Sequence, residues 1–404
     1  MPEVKLYKRA ANGEPQEWWI RISNGSNPTI GIGYGKVGGI THTNVIVPTM
    51  QTAQKEYESR IAAKKKEGYK ELSELYDNAP EDLSRYSTLY NYLVTHLPKY
   101  NVSSNGQILP MLAKTLEDNK IFVKNGTYRG QWKINGLRCL VGAEKVEDMF
   151  QPIHLIFQSR EGTLWNLPYL EARLLNILPS EMLDLMVDEG AYLDGEIYLP
   201  GYQVNDINHF VKNNTAPQHK QLQYWLYDVA VESMPYHDRR MILEENFENH
   251  IPKFNSLNDH LNNKDTLIFL PEILVYDIFS AIAARDNFID LGFEGLIIRN
   301  PNSEYGFGKR SVGLMHKFKK IEDGLFTIVD IIPEGSKRSN LCKLILRNDV
   351  NESSFECTVN ATQKKQEEIL INREEYIGHL ARVQYRERSG VTKVPFHAKC
   401  VEIK

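Results

Sequence analysis

A short strand that runs into a turn is the most constraining feature of this sequence. Between residues 131 and 138, apolar Trp132 and Ile134 alternate with polar side chains, and Gly136 then ends the alternation. This pattern buries one face of the strand and places Lys133 on the other. Such a lysine is either a solvated surface group or a nucleophile. An ordinary lysine has a pKa of ~10.4, so nucleophilic use requires surroundings that cost its ammonium form ~4–5 kcal/mol.

The size and composition of the chain predict an ordinary globular protein of several domains. It has 404 residues, of which 42% are hydrophobic and 25% are charged. No apolar run approaches the ~20 residues that span a bilayer, and the first residues lack the apolar core of a signal peptide. We therefore expect an intracellular protein without a membrane partner, in the cytoplasm, nucleoid or nucleus, or in a host cell if the source is viral.

Cysteine spacing and net charge restrict the kinds of site further. The four cysteines are far apart and form no Cys-x-x-Cys pair, which argues against a zinc ribbon and a disulfide framework and predicts buried thiols. The formal net charge is −4. Binding to nucleic acid would therefore depend on local basic surface and not on a global positive field.

Residues 1–77 are predicted to form a small α+β domain. Strands are expected at 4–7 and 18–22, a glycine-rich segment follows at 31–39, and a helix is expected from Thr52 to Lys66, ended by Gly68. The lysine run at 64–66 either contacts phosphates or is a solvated helix end.

A connector at residues 78–105 is expected to contain a helix between Leu83 and Leu97, bounded by Pro80 and Pro98. The chain shows no internal repeat and no low-complexity segment. The connector therefore separates two differently built parts of the protein.

Residues 106–320 mix strands and helices and contain a series of polar motifs in a fixed order. After Lys133, the series comprises Ser159-Arg160-Glu161-Gly162, Leu193-Asp194-Gly195-Glu196, Leu226-Tyr227-Asp228, Glu294-Gly295-Leu296-Ile297-Ile298-Arg299 and Lys317-Phe318-Lys319. Each motif alone is also consistent with a turn, an edge pair, a bulge or a solvated strand face. Together they contain a nucleophile, phosphate and sugar clamps, metal carboxylates, a base-stacking aromatic and charge neutralisers, which are the parts that move a nucleotide.

The last part, residues 321–404, is rich in predicted strands. Strands are expected at 326–332, 343–346, 355–359 and 381–388, with a helix near 362–370 between the third and fourth, which suggests a small barrel. Arg382, Arg386 and Arg388 alternate on the last of these strands. They are candidate contacts to a nucleic-acid backbone, or plainly solvated side chains.

These motifs resemble, in order, those of the covalent nucleotidyltransferase superfamily of ATP-dependent DNA ligases, RNA ligases and mRNA capping enzymes. Lys133-Ile134-Asn135-Gly136-Leu137-Arg138 is similar to the Lys-x-Asp-Gly-x-Arg motif of that superfamily, and the later motifs match in turn. The resemblance covers residues 106–404. It implies a mixed α/β nucleotidyltransferase core with ATP-grasp-like antiparallel sheets and a C-terminal OB-fold barrel, which gives an α+β protein overall.

The resemblance also implies a role for each matching residue. Lys133 would attack the α-phosphate of ATP and carry AMP, with Mg²⁺ or Mn²⁺ as the metal. The other implied roles are adenine contacts from Gln131 and Tyr227, phosphate and ribose clamps from Arg138 and Arg160, ribose or metal binding by Glu196, metal binding by Glu294, and triphosphate neutralisation by Lys317 and Lys319.

Residues 34–38, Tyr-Gly-Lys-Val-Gly, resemble the Trp-Gly-Arg-x-Gly motif of the WGR domain, a nucleic-acid-binding module. A WGR-like domain would suit DNA, so we expect a monomeric ligase that seals nicked double-stranded DNA. NAD⁺ is disfavoured because ligases that use it carry a zinc finger.

Asn135 replaces the aspartate that is usual in the superfamily. It favours two alternatives, an RNA ligase and a catalytically inactive DNA-binding scaffold, while a capping guanylyltransferase is least consistent with the N-terminal module.

Overall fold

The computed structural model describes residues 3–10, 13–23, 28–48, 52–75, 89–116, 127–310, 313, 315–335, 339–385, 387–388 and 392–404. The chain divides into two units, residues 1–318 and 319–404. Across these described ranges, no helix combines the length and the apolar character needed to cross a membrane.

Four antiparallel strands form the first sheet in sequence order. They are β1 (Glu3–Arg9), β2 (Pro15–Ile22), β3 (Ile30–Lys36) and β4 (Thr41–Ile46). Helix α1 (Ala53–Lys66) covers one face, and Tyr57 packs there on Leu6, Trp18 and Ile20. The Thr52 hydroxyl accepts a hydrogen bond from the backbone N–H of Lys55 and so caps the helix. The strands and the helix predicted in this region are confirmed.

The connector is attached to this sheet through an arginine. A 3-10 helix (Leu72–Leu75) and helix α2 (Leu89–His96) follow α1, while the first part of the predicted 83–97 helix lies outside the described residues. Arg9 on β1 donates hydrogen bonds to the carbonyls of Val94 (2.6 Å), Leu97 (3.2 Å) and Pro98 (2.6 Å). These carbonyls lie at the end of α2, where they lack helical partners, so Arg9 satisfies them and fixes the helix against β1.

The central part contains two sheets. Its strands are β5 (Lys114–Thr115), β6 (Tyr128–Lys133), β7 (Leu137–Lys145), β8 (Ile153–Ser159), β9 (Leu164–Trp165), β10 (Tyr192–Tyr198), β11 (Gln223–Ala230), β12 (Leu267–Phe269), β13 (Ile273–Val275), β14 (Gly295–Arg299) and β15 (Met315–Phe318). One sheet has the order β12-β11-β10-β7-β8-β9 and the other β13-β6-β14-β15-β5. Both are antiparallel except for the pairs β11 with β12 and β15 with β5.

Over the ranges of this part that the structure describes, six helices and two 3-10 turns accompany these sheets. The helices are α3 (Pro168–Leu175), α4 (Ser180–Asp188), α5 (Val204–Lys212), α6 (Tyr236–Phe247), α7 (Leu257–Asn262) and α8 (Ile278–Asp290), and the 3-10 turns are Pro217–Gln221 and Glu248–His250. Among the described residues of this part, one large apolar core runs through the sheets and helices, and Met111, Ala230, Tyr305, Phe307 and Met315 form a second, smaller cluster. The mixed α+β class that the sequence predicts is confirmed.

The alternation predicted for the 131–134 stretch is present. Trp132 is buried and stacks on Phe293, with ring centroids 4.4 Å apart. In register, Lys133 opposes Gly295, while Gln131 opposes Ile297, which also opposes Lys317 on its other side. Directly opposed residues of antiparallel strands point to the same face. Lys133, Gln131 and Lys317 therefore share the face opposite Trp132.

A buried charged network joins the two central sheets. Asp228 on β11 accepts hydrogen bonds from Arg239 on α6 (2.8 and 3.0 Å) and from Arg299 on β14 (2.8 Å). Arg299 also donates to the side-chain oxygen of Gln131 on β6 at 2.7 Å, and the Gln131 amide donates to the carbonyl of Tyr227 at 3.1 Å. We call these five residues the inter-sheet network.

The second unit is a closed five-stranded barrel with the strand order β16-β17-β18-β22-β19. Its elements are β16 (Glu322–Pro333), β17 (Cys342–Arg347), β18 (Ser354–Val359), α9 (Gln363–Ile371), α10 (Arg373–Tyr376), β19 (Leu380–Tyr385), β20 (Glu387–Arg388), β21 (Pro395–Phe396) and β22 (Lys399–Ile403). The predicted barrel and the helix after its third strand are confirmed. Cys342, Cys357 and Cys400 lie in its core without forming disulfides, and Cys139 lies in the central core, as expected of buried thiols.

Asp228→Asn is expected to destabilise the protein by about 3–5 kcal/mol. The substitution leaves the guanidinium groups of Arg239 and Arg299 buried without their counter-charge, and an uncompensated buried charge is costly. Urea unfolding at neutral pH measures the change. Asp188→Asn is the matched control, because Asp188 forms an exposed pair with Lys145 and its loss should cost less than about 1 kcal/mol. Equal effects of the two substitutions would contradict a structural role for the network.

Candidate active site

A cavity of about 490 Å³ lies where the two central sheets meet. This volume is in the range of small-molecule binding sites. Its lining brings together five residues predicted from the sequence, namely Lys133, Arg138, Arg160, Glu196 and Glu294. These residues lie on β6, on β7, in the turn between β8 and β9, on β10 and just before β14, so the fold assembles the site from parts that are distant in sequence.

Lys133 and Glu294 form an ion pair in this cavity. The end of β6 and the start of β14 are held together by a 2.9 Å hydrogen bond from the Glu294 N–H to the Lys133 carbonyl. Only 19% of the lysine side chain and 12% of the glutamate side chain are exposed. The residue predicted as the nucleophile and one predicted metal ligand are therefore direct neighbours.

Glu196 enters the cavity from β10. Its carboxylate accepts a 3.2 Å hydrogen bond from the N–H of Gly136, in the turn after Lys133. A Cβ on Gly136 would lie 2.5 Å from the Ile197 carbonyl and 2.8 Å from the Glu196 Cγ, so the turn requires glycine at this point. Burial raises the pKa of the Glu196 carboxyl to about 7, against the opposing effect of the positive charges of Lys133 and Arg138.

Arg138 is fixed by a second carboxylate on the same strand as Glu196. It makes two hydrogen bonds to Asp194, at 2.9 and 2.6 Å, and a third to the Met111 carbonyl at 2.5 Å. Asp194 also accepts a 2.5 Å hydrogen bond from the Tyr305 hydroxyl. Arg138 therefore lines the cavity as a rigid cation, and Asp194 is the residue that orients it.

Tyr227 is the extra residue of a β-bulge in β11. Asp194 opposes Asp228 and Gly195 opposes Leu226, which leaves Tyr227 without an opposite residue on β10. A bulge re-aims the side chain that it carries. The Tyr227 ring lies 5.8 Å from the Arg138 guanidinium and 5.4 Å from that of Arg299. Tyr227 and Gln131 are therefore next to the cavity wall, although neither is part of its lining.

Lys317 and Lys319 are not among the cavity residues. Lys317 lies on β15, where its carbonyl accepts a 2.9 Å hydrogen bond from the Leu116 N–H. Lys319 follows the strand and falls in the second unit.

Arg160 lies at the cavity edge on the turn between β8 and β9, with 52% of its side chain exposed and Glu161 at 3.6 Å.

The arginines predicted on the barrel are engaged with carboxylates. Arg382 lies 3.1 Å from Glu402 and 3.6 Å from Asp323, and Arg388 makes hydrogen bonds of 2.7 and 2.8 Å to Asp349. Arg386 lies outside the described residues. Ion pairs of this kind can be exchanged for phosphate contacts, so the role of Arg382 and Arg388 in binding nucleic acid stays a prediction.

Four cavity residues lie outside the motifs identified in the sequence, namely Thr163, Trp165, Asn208 and Lys212. Asn208 and Lys212 line the cavity from α5 and are four residues apart, so they lie on one side of that helix. The sequence pattern could have indicated this, because apolar Ile207, Phe210 and Val211 recur at helical spacing and are buried on another side of α5. Such a pattern is typical of an amphipathic helix with a polar side. Lys212 adds a cation to the cavity.

The carboxylates suit a metal that is shared with a substrate. Within the part of the chain that the structure describes, no group of three or more His, Cys, Asp or Glu residues could by itself hold a metal ion. Mg²⁺ is commonly bound by one or two carboxylates together with substrate phosphates and water. Glu196 and Glu294, both in the cavity, meet that requirement.

The central part of the chain matches a known protein family. The model of the ATP dependent DNA ligase domain matches residues 110–319. The DNA ligase of African swine fever virus, isolate Pig/Kenya/KEN-50/1950, is 26% identical over 318 residues, which cover 74% of this chain and 69% of the viral protein. The DNA ligase of strain Badajoz 1971 is 24% identical over the same coverage.

Solved structures share the fold. Pmar-Lig_Pre superposes with a TM-score of 0.56 at 17% sequence identity, covering 78% of this chain and 71% of that chain. A Lig E DNA ligase, from a study of DNA binding with a minimal scaffold, has a TM-score of 0.52 at 14% identity and covers 73% of this chain and 99% of its own. The mixed α+β fold and the OB-like five-stranded barrel are thus those of ligase structures.

Glu196→Gln is expected to change how stability depends on pH. Because the folded-state pKa of Glu196 is raised to about 7, its protonated form contributes stability that is fully present below the unfolded-state pKa of about 4.5 and is lost as the pH rises through 7. Glutamine stays neutral. Between pH 5 and pH 8, the unfolding free energy of the wild type should therefore fall by about 1–3 kcal/mol relative to the variant.

Urea unfolding at several pH values measures this difference. Glu144→Gln, at an exposed position on β7, is the control and should show no such trend. A constant difference between wild type and Glu196→Gln at every pH would refute the raised pKa.

Proposed function

The chain belongs to the ATP-dependent DNA ligase domain family, and on that premise we propose that it seals nicks in double-stranded DNA with Lys133 as the nucleophile. The observation that carries the proposal is the Lys133–Glu294 pair, enclosed with Arg138, Arg160 and Glu196 in one cavity. A partly buried lysine beside a carboxylate and several cations can approach a polyphosphate without a large movement of the backbone.

The first step is adenylation of Lys133. Its neutral Nζ attacks the α-phosphorus of ATP, the P–N bond forms, and the bond to pyrophosphate breaks. The proton leaves the lysine nitrogen, and Glu294 is the adjacent carboxylate that can accept it or hold it in place. Asn135 supplies no charge here, whereas the Glu294 carboxylate is a negative group in direct contact with Lys133.

Arg138, Arg160 and Lys212 bring positive charge to the cavity wall before the reaction begins. Charge that is already in place stabilises the transition state without reorganisation. We assign Arg138 and Arg160 to the phosphate and ribose, and Lys317 and Lys319 to the triphosphate. Glu196 and Glu294 would hold Mg²⁺ or Mn²⁺, which supplies neutralisation of the phosphate charge when bound.

The adenine is assigned to Tyr227 and Gln131. The bulge turns the Tyr227 ring toward Arg138, on the cavity wall, which suits stacking on a base. The Gln131 amide uses one N–H for the Tyr227 carbonyl and its oxygen for Arg299, which leaves its second N–H for the base.

In the remaining steps, AMP passes from Lys133 to the 5′-phosphate at the nick, and the 3′-OH then displaces AMP. The family and the viral relatives favour DNA over RNA ends, whereas Asn135 is the observation that favours an RNA ligase. The two are separated by offering nicked duplexes with DNA or RNA ends. Sealing of RNA ends alone would overturn the DNA assignment.

The parts of the chain outside the core are given supporting roles. We propose a WGR-like nucleic-acid-binding domain at 1–77, a connector at 78–105, the nucleotidyltransferase domain at 106–320 and an OB-fold domain at 321–404 that closes over DNA, all acting as a monomer. Arg382, Arg386 and Arg388 would contact the DNA backbone from the barrel.

Lys133→Ala is expected to abolish adenylation. The protein is incubated with Mg²⁺ and ATP labelled at the α-phosphate, then denatured, and the label that stays on the chain is measured. Wild type should retain label, and Lys133→Ala should fall to background because the attacking nitrogen is gone. Lys145→Ala is the matched control, since Lys145 is an exposed strand lysine paired with Asp188.

The labelling experiment also tests the inactive-scaffold alternative. Wild-type protein that takes up no label but still shifts nicked DNA on a gel would be a binding protein. Label on Lys133→Ala equal to that on wild type would place the nucleophile elsewhere.

Replacing both Tyr34 and Lys36 with alanine is expected to weaken binding to nicked DNA and to leave adenylation unchanged. Tyr34 is exposed, and Lys36 pairs with Glu14 at 2.9 Å, an ion pair that a DNA phosphate can replace. Fluorescence anisotropy should show a loss of about two- to tenfold and a shallower salt dependence. Lys55→Ala on α1 is the control. Unchanged DNA affinity in the double variant would refute the WGR-like role.

A further inference from the structure

A hairpin at residues 102–108 lies just before the matched ligase domain. Val102 and Ile108 pair as an antiparallel bridge, and the Ser103 N–H donates to the Gln107 carbonyl at 2.8 Å. The Ser103 hydroxyl accepts a 3.1 Å hydrogen bond from the Gln107 N–H and donates to the side-chain oxygen of Asn105. The hairpin therefore fixes the orientation of its own Asn105 side chain.

Asn105 in turn holds the turn that carries Arg160. The Asn105 Nδ2 donates a 2.6 Å hydrogen bond to the carbonyl of Gly162, two residues after Arg160. Gly162 has a φ of 85°, and a Cβ there would lie 2.3 Å from the Ser103 Oγ. No other residue fits this approach, so the hairpin and the turn are closely matched surfaces.

The hairpin is itself held at two further points. The Gln158 side chain on β8 donates to the Ile108 carbonyl at 2.8 Å. Gly68, which follows α1, packs so closely on the hairpin that a Cβ would lie 2.5 Å from the Val102 carbonyl. The N-terminal sheet domain, the hairpin and the Arg160 turn therefore form one continuous series of contacts.

We propose that the 102–108 hairpin is a positioning element for ATP, acting through Asn105 on the Arg160 turn. The inference rests on the proposed role of Arg160 in binding the phosphates and ribose. Arg160 is a long, half-exposed side chain, so its reach into the cavity depends on where its backbone is held. Asn105 holds that backbone from outside the cavity and does not touch the substrate.

A double-mutant cycle in the full-length protein tests the proposal. Single-turnover adenylation is measured against ATP concentration for wild type, Asn105→Ala, Arg160→Ala and the double variant. Asn105→Ala is expected to raise the half-saturating ATP concentration about three- to tenfold, which is the effect of losing one hydrogen bond. The maximal rate should change by less than about twofold. In the Arg160→Ala background, Asn105→Ala should have no further effect beyond about twofold.

Two further variants make the test specific. Asn105→Asp keeps an acceptor for the Ser103 hydroxyl but loses the N–H to Gly162, so it should behave like Asn105→Ala and replaces it if that variant does not fold. Asn246→Ala is the matched control, because Asn246 donates a 2.8 Å hydrogen bond to a backbone carbonyl on α6, and its ATP dependence should match wild type.

The possible outcomes are distinguishable. If Arg160→Ala weakens ATP binding and the two substitutions add, the hairpin proposal fails while the proposed role of Arg160 stands. An Asn105→Ala variant that has wild-type ATP dependence, or that loses only maximal rate, also overturns the hairpin proposal. If Arg160→Ala leaves ATP dependence unchanged, the assignment of Arg160 fails and the hairpin proposal fails with it.

Discussion

The Asp228 carboxylate is the group on which the geometry of the central domain depends. It is fully buried and binds two buried arginines, one from a helix and one from the other sheet. Burying three charges has a large desolvation free energy, which is offset only when nearly every polar atom has a hydrogen-bond partner. The inter-sheet network does so by extending from Arg299 to Gln131 and back to the Tyr227 carbonyl. The two sheets therefore have one preferred separation and register at this point.

That constraint fixes the position of the proposed nucleophile. Gln131 and Lys133 are on the same face of β6, two residues apart, so holding the first leaves little freedom for the second. Across the gap, Asp194 locks Arg138, and the Gly136 turn binds Glu196. Two irregular features, the Gly136 turn and the bulge at Tyr227, position these side chains. A glycine allows the close approach of a carboxylate, and a one-residue bulge turns Tyr227 toward the arginines. Regular strands alone would not bring these groups together.

The sequence predicted the elements of this site better than their partners. Alternation around Lys133 correctly identified a strand with Trp132 buried, and the ordered motifs identified Glu196 and Glu294, which the structure brings to the same cavity.

The pairing of Arg299 with Asp228 links positions 71 residues apart, and no local pattern encodes such a contact. The bulge at Tyr227 was equally invisible, because its existence depends on the register between β10 and β11. Asp194 was part of a predicted motif, but its role in orienting Arg138 follows only from the three-dimensional contacts.

The same distinction explains why the role of the hairpin at 102–108 was not predicted from the sequence. The Asn105-Gly106 pair is typical of a turn, but nothing in the spacing of these loop residues indicates a partner. Their significance comes from Gly162, whose positive φ and missing side chain leave room for Ser103. The family match begins at residue 110, yet the contacts that support its Arg160 turn begin earlier, and Met111 at its start holds Arg138. Since Arg138 and the turn that carries Arg160 are both bound by residues from 105–111, this segment helps to build the cavity. A change in that segment would thus reach the nucleotide without altering any residue that touches it.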